Sequence, residues 1–131
     1  MIFIDSNVPM YIVGAPHPHK GDAQRLLERL ITDGEKLVTD AEVFQEILHR
    51  YVAIDRRDAI APAFGMLLDL TDEILPIDGE TVLRAKELVL RRAGVSARDA
   101  IHLAVMEREN IERILTFDRG FDRHPGVKRI A

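Results

Sequence analysis

Short apolar runs alternate with longer amphipathic stretches along this chain, and that alternation predicts its elements. Ile2-Phe3-Ile4 is apolar at three successive positions, the mark of a strand buried on both faces. Asp5-Ser6-Asn7 ends it with side chains suited to capping a short helix. Gly14-Ala15-Pro16-His17-Pro18-His19 reads as a loop by its glycine and prolines. From Asp22 to about Thr32 the positions Ala23, Leu26, Leu27, Leu30 and Ile31 recur at helical spacing, and Gly34 supplies a stop. Leu37-Val38 is a brief strand. Thr39-Asp40-Ala41-Glu42 has the capping-box form, and Val43, Phe44, Ile47, Leu48 and Tyr51 make the apolar stripe of the helix that follows.

The second half repeats the theme. A helix is expected over Asp58–Leu70, a strand over Glu73–Ile77, and an amphipathic helix over Gly79–Arg92 carried by Val82, Leu83, Ala85, Leu88 and Val89. Ser96-Ala97-Arg98-Asp99 is another cap-like start, followed by Ala100, Leu103 and Ala104, small enough for close packing. Arg113-Ile114-Leu115-Thr116 and Val127–Ile130 are the last strands. Strands alternating with helices predict one α/β domain over residues 1–131, a mainly parallel sheet flanked by helices as an α/β/α sandwich with right-handed crossovers. In such sheets sites form beyond the carboxyl ends of the strands, where the strand order switches. Asp5 and Asp118 both follow strand candidates at that end.

Composition narrows the chemistry. There is no cysteine among the 131 residues, which excludes disulfides, thiolate metal sites and a thiol nucleophile, and agrees with a cytoplasmic setting. The N-terminus lacks the basic start of a secretory leader, and no apolar run approaches membrane-spanning length. The net charge of −4 is not that of a generally basic nucleic-acid binder.

Five acids stand out: Asp5, Glu46, Asp99, Asp118 and Asp122. Each has a plain reading as a turn residue, a solvated helix position, a cap partner or half of a surface pair with Arg119 or Arg123. Their contexts are Ile-Asp-Ser-Asn, Glu-Val-Phe-Gln-Glu-Ile, Ser-Ala-Arg-Asp-Ala-Ile-His-Leu-Ala and Leu-Thr-Phe-Asp-Arg-Gly-Phe-Asp. In this order and at these spacings they resemble the PIN-domain nucleases, and most closely the small toxin ribonucleases of VapBC-type toxin–antitoxin pairs. The resemblance runs from the first strand to the last acidic loop.

What it implies is concrete. Asp5, Glu46, Asp99 and Asp118 fall on the acidic catalytic quartet. Asp5, Asp99 and Asp118 are expected as metal ligands, with Asp122 as an additional acid for a second, weaker position. Asn7 and Thr116 fall on supporting polar positions. The expected cofactor is Mg²⁺ (or Mn²⁺), a hard cation for which carboxylates are natural ligands. The expected activity is endonucleolytic cleavage of a structured RNA such as tRNA or rRNA, with an antitoxin partner and a homodimer.

With the five acids set aside, the rest of the chain is close to neutral, compatible with a modest RNA-binding surface. Arg98, Arg119 and Arg123 adjoin the proposed ligands in sequence and are the candidates for phosphate contacts. With no tryptophan and two tyrosines, base stacking has few platforms, so recognition by RNA shape is expected. His17-Pro18-His19 reads as a loop feature, and His102, three residues after Asp99, as a structural or supporting residue. Two other readings stay open: a phosphate-handling or phospho-acceptor α/β domain using Asp5, and a catalytically inactive nuclease-like interaction module.

Overall fold

A computed structural model of the protein describes all 131 residues. Five strands, β1 (Ile2–Ile4), β2 (Leu37–Asp40), β3 (Glu73–Leu75), β4 (Arg113–Leu115) and β5 (Lys128–Ile130), form one sheet in the order β3-β2-β1-β4-β5. Every neighbouring pair is parallel. Phe3 stands opposite Val38 on one side and Ile114 on the other, which explains why β1 is apolar throughout: it is the central strand and is buried on both faces. The chain builds outward from β1 through β2 to β3, returns to the other side of β1 as β4, and ends at β5. The order therefore switches between β1 and β4, and the crevice beyond their carboxyl ends is where a site is expected.

Six helices complete the domain: α1 (Asn7–Val13), α2 (Pro18–Thr32), α3 (Ala41–Ala53), α4 (Ile60–Leu70), α5 (Gly79–Arg91) and α6 (Ala97–Arg108). Short 3₁₀ turns lie at Arg57–Ala59 and Arg119–Arg123. Helix α6 is almost wholly buried from Ala100 to Met106, and its alanines allow close packing on α5.

Several boundaries differ from the sequence expectation, each for a local reason. Helix α2 begins at Pro18, four residues earlier than expected, because proline is well suited to the first helical position and His17 Nδ1 accepts from the His19 N–H at 3.1 Å as the cap. The cap of α3 is Asp40, whose Oδ1 accepts from the Val43 N–H at 2.9 Å, while the Thr39 hydroxyl donates to the Ile4 carbonyl at 2.9 Å. Strand β3 stops at Leu75, since Pro76 has no N–H to continue the ladder. The expected apolar face of α5 is the largest correction. Ala85 and Leu88 are buried with Thr81, but Val82, Leu83, Val89 and Leu90 are exposed.

Candidate active site

The loops after β1 and β4 meet at the switch point, and their polar side chains bind them together. Asp5, 5% exposed, ends β1. Its Oδ1 accepts from the Ser6 N–H at 2.7 Å, and its Oδ2 accepts from the Thr116 hydroxyl at 2.7 Å. Asn7 Nδ2 donates to Thr116 Oγ1 at 3.0 Å, and the Asp118 N–H donates to the same oxygen at 3.1 Å. Thr116 thus uses its one donor and both acceptor positions. Asn7 Oδ1 accepts from the Phe117 N–H at 3.3 Å, closing the link. Asn7 and Thr116 accordingly orient Asp5 and pin its loop to that of Asp118.

A second network lies beneath, reached from α3 and α6. Glu46 faces inward and is 9% exposed, although it lies one position off the apolar stripe. Its Oε2 accepts from the Ser6 hydroxyl at 2.7 Å, and its Oε1 lies 2.6 Å from His102 Nε2. His102 Nδ1 lies 2.7 Å from Asp40 Oδ2. With a carboxylate against each nitrogen, the ring donates twice and is an imidazolium. Burial opposes that charge, but the hydrogen bonds to Asp40 and Glu46 outweigh it and hold His102 well above the usual histidine range. Burial also pushes Glu46 up, and the bonds from His102 and Ser6 more than offset it, so its carboxyl sits below the ordinary value. Carboxylate oxygens of Asp5 and Glu46 and a ring nitrogen of His102 all lie within 4.8 Å of one another. His102 has no free lone pair to offer there, so its part is to fix Glu46 and to balance charge.

Asp99 and Asp118 complete the cluster from α6 and the β4 loop. The Asp99 N–H donates to Ser96 Oγ at 3.1 Å, which caps α6, but its carboxylate returns no bond to Ser96 and is left to the cleft. Burial first, then the charges of Asp5 and Asp118, push Asp99 up to about 6. Burial likewise raises Asp5, with Glu46 adding to the effect and His102 and Thr116 opposing it. Asp118 Oδ1 accepts from the Gly120 N–H at 2.8 Å and caps the Arg119–Arg123 turn. A Cβ at Gly120 would stand 3.0 Å from that oxygen, so glycine there leaves the carboxylate its position.

No lysine or arginine lies within ion-pair distance of Asp5, Asp99 or Asp118. His102 Nε2 approaches Asp5 Oδ1 at 4.0 Å, but that ring is already bonded to Asp40 and Glu46. Clustered carboxylates that repel one another with so little positive charge among them, all offering hard oxygen donors, are a set that fits a divalent cation such as Mg²⁺ or Mn²⁺.

The remaining candidates separate. Asp122 is held by Arg129 through two bonds of 2.9 and 3.2 Å, not by Arg119 or Arg123. Those bonds keep its carboxyl below the usual carboxylate range. The acids of the cluster have no part in that shift, which sets Asp122 apart from them. Arg98 lines a groove with Ser6 and Glu46, and Arg123 lines another with Asp99 and Asp118. Arg119 faces a different hollow, beside His19 and Phe117. Sequence reasoning missed Asp40 and Ser6. Asp40 was visible only as a helix cap, and its tie to His102 spans 62 residues of chain.

Known proteins resemble this chain over most of its length. Residues 2–127 match the PIN domain family. Ribonuclease VapC13 of Mycobacterium tuberculosis is 60% identical over 131 residues, covering 100% of both chains, as is a VapC ribonuclease of Mycobacterium bovis. Ribonuclease VapC23 of M. tuberculosis is 42% identical over 118 residues, 90% of this chain and 93% of its own. Among solved structures, M. tuberculosis VapC20, described as a sarcin-ricin loop cleaving toxin, aligns with a TM-score of 0.78 at 21% identity over 93% of each chain. VapBC2 of Rickettsia felis, solved bound to a DNA fragment from its promoter, aligns with a TM-score of 0.75 at 16% identity over 99% of this chain and 98% of that one. The fold, the switch-point cluster of carboxylates and the match over nearly the whole length lead to one conclusion: this chain belongs to the PIN domain family.

Proposed function

We propose that this chain is a metal-dependent endoribonuclease and the toxin of a type II toxin–antitoxin pair. The observation that carries the reading is the convergence of Asp5, Glu46, Asp99 and Asp118 at one crevice where no lysine or arginine pairs with Asp5, Asp99 or Asp118, and where the one nearby cation, His102, is already bonded to Asp40 and Glu46. The ribonuclease names of relatives at 60% and 42% identity support it. Asp5, Asp99 and Asp118 are the ligands for a cation, Mg²⁺ or Mn²⁺. When bound, that ion supplies charge to the phosphodiester and lowers the proton affinity of a water beside it.

The protein's own groups do the rest. Glu46, fixed by Ser6 and His102, orients the attacking water. Asn7 and Thr116 hold Asp5 in place, a supporting role that keeps a ligand's geometry. Asp122 joins only by leaving Arg129, which suits the weaker, second position. Arg98 and Arg123 stand on opposite sides of the acids and receive flanking phosphates of the RNA, while Arg119 contacts it further out. Hydrolysis leaves a 5′-phosphate and a 3′-hydroxyl on a cytoplasmic tRNA or rRNA. The antitoxin covers the cleft, and the toxin forms a homodimer. Incubation with mixed tRNA and rRNA in Mg²⁺, Mn²⁺ or chelator tests the activity. Cleavage should require the metal and vanish in Asp5→Asn.

A further inference from the structure

Four rings gather beside the acidic crevice. Tyr11 and His17 stack with centroids 4.2 Å apart and planes 18° apart. His19 and Phe117 stack at 4.5 Å and 22°, and Tyr11 meets Phe117 edge-on at 5.5 Å. Tyr11 belongs to α1, and the two histidines open α2. Phe117 sits between Thr116 and Asp118, so the tier is attached directly to the site loop. His17 is exposed and rests on the half-buried Tyr11, an arrangement that adds little to the core.

The space around the acids matches this. A groove of about 630 Å³ opens on Tyr11 and His17 and runs to Ser6 and Glu46, with Arg50 and Arg98 in its wall. Both arginines are exposed, and neither makes an ion pair. A second cavity, of about 420 Å³, is lined by Arg92, Arg123 and His124 together with Asp99 and Asp118. His124 is buried, and its Nδ1 has no hydrogen-bond partner. The acids therefore lie between two basic hollows, one of them with a stacked ring pair. Unpaired bases stack on aromatic faces while guanidinium groups hold their phosphates.

We propose that Tyr11 and His17 form a base-stacking platform for one unpaired nucleotide next to the phosphate to be cut. Arg50 and Arg98 hold its backbone, and the strand crosses the acids toward Arg92 and Arg123. This rests on the ribonuclease reading and deepens it. An extruded base cannot belong to an intact duplex, so the segment cut is an unpaired one, such as the loop of a structured RNA.

The test measures binding in the non-cleaving Asp5→Asn protein, with Mg²⁺, using labelled heptanucleotides of A, U and C that carry one 2-aminopurine. At least one should bind, with its 2-aminopurine quenched. Adding Tyr11→Leu, or His17→Asn, which keeps the capping acceptor, should weaken binding about tenfold and relieve the quenching, while Tyr11→Phe binds as the parent. The same heptanucleotide in a duplex should bind more weakly. Unchanged affinity and quenching in both ring-removing variants overturns the platform. If the wild type still cleaves tRNA or rRNA in that case, the ribonuclease reading stands without it. No binding by any protein and no cleavage by the wild type overturns both.

Discussion

At the scale of single residues the site is governed by where charge is left uncompensated. Asp99 sits at about 6 in the metal-free protein, above the usual range for an aspartate. A raised acid binds its proton more tightly folded than unfolded, so its contribution to stability is favourable at low pH and is lost as pH rises through about 6. Metal binding requires that proton to leave. The rise in melting temperature caused by Mg²⁺ or Mn²⁺ should therefore be small at pH 5 and grow toward pH 7.5, as read by differential scanning fluorimetry; a shift independent of pH contradicts the assignment. Asp99→Asn should remove the metal response and stabilise the apo protein at pH 7.5, by about 1 kcal/mol once solvent screening of this partly exposed group is allowed for.

His102 poses the opposite case, a charge already compensated. His102→Ala removes the one cation shared by the buried carboxylates of Asp40 and Glu46, which keep only their bonds from Val43 and Ser6, and should cost about 3–5 kcal/mol in urea unfolding. Asp5, Glu46, Asp99 and Asp118 were singled out by the family resemblance that their contexts carry together, not by any one context. The sequence did not reveal the Asp40–His102–Glu46 relay, because each member had an adequate local explanation and their meeting depends on how α3 and α6 pack.

At the scale of elements, the switch between β1 and β4 sets the site, and Thr116 joins the two loops. Thr116→Val keeps the shape and removes three hydrogen bonds, which should cost about 2 kcal/mol of stability and lower cleavage at least tenfold, whereas Thr116→Ser should retain most of both. Loss of stability without loss of cleavage would make the residue structural only. The elements themselves were largely legible from periodicity: an unbroken apolar run is a central strand, and a 3.6-residue stripe is a helix. Two features were not. Proline marked a loop before α2 when it in fact opened the helix. The stripe on α5 was right for Ala85 and Leu88, which are buried, but Val82, Leu83 and Val89 resemble core positions yet stand in solvent.

At the scale of the molecule that exposed strip gains a meaning. Leu83 and Leu90 lie seven residues apart and so share one face of α5, an arrangement that suits packing against another helix. If the proposed homodimer forms there, Leu83→Ser combined with Leu90→Ser should convert a dimer to a monomer in light scattering while circular dichroism stays unchanged; a variant of unchanged mass places the dimer elsewhere. The net charge of −4 also reads differently once its distribution is known. Acids concentrate at the carboxyl ends of β1 and β4, with unpaired arginines on both flanks. A net charge summed over the sequence cannot show that pattern, and neither could it show the ring tier built partly from histidines.

On this reading the carboxylates hold a metal, and the protein cuts RNA there. Cleavage of a tRNA and rRNA mixture by wild type and Asp5→Asn, each with Mn²⁺ and with chelator, tests it most directly. The wild type should give discrete products with metal and none in chelator, and Asp5→Asn should give none although it remains folded. Cleavage that persists in chelator, or at the wild-type rate in Asp5→Asn, would contradict it.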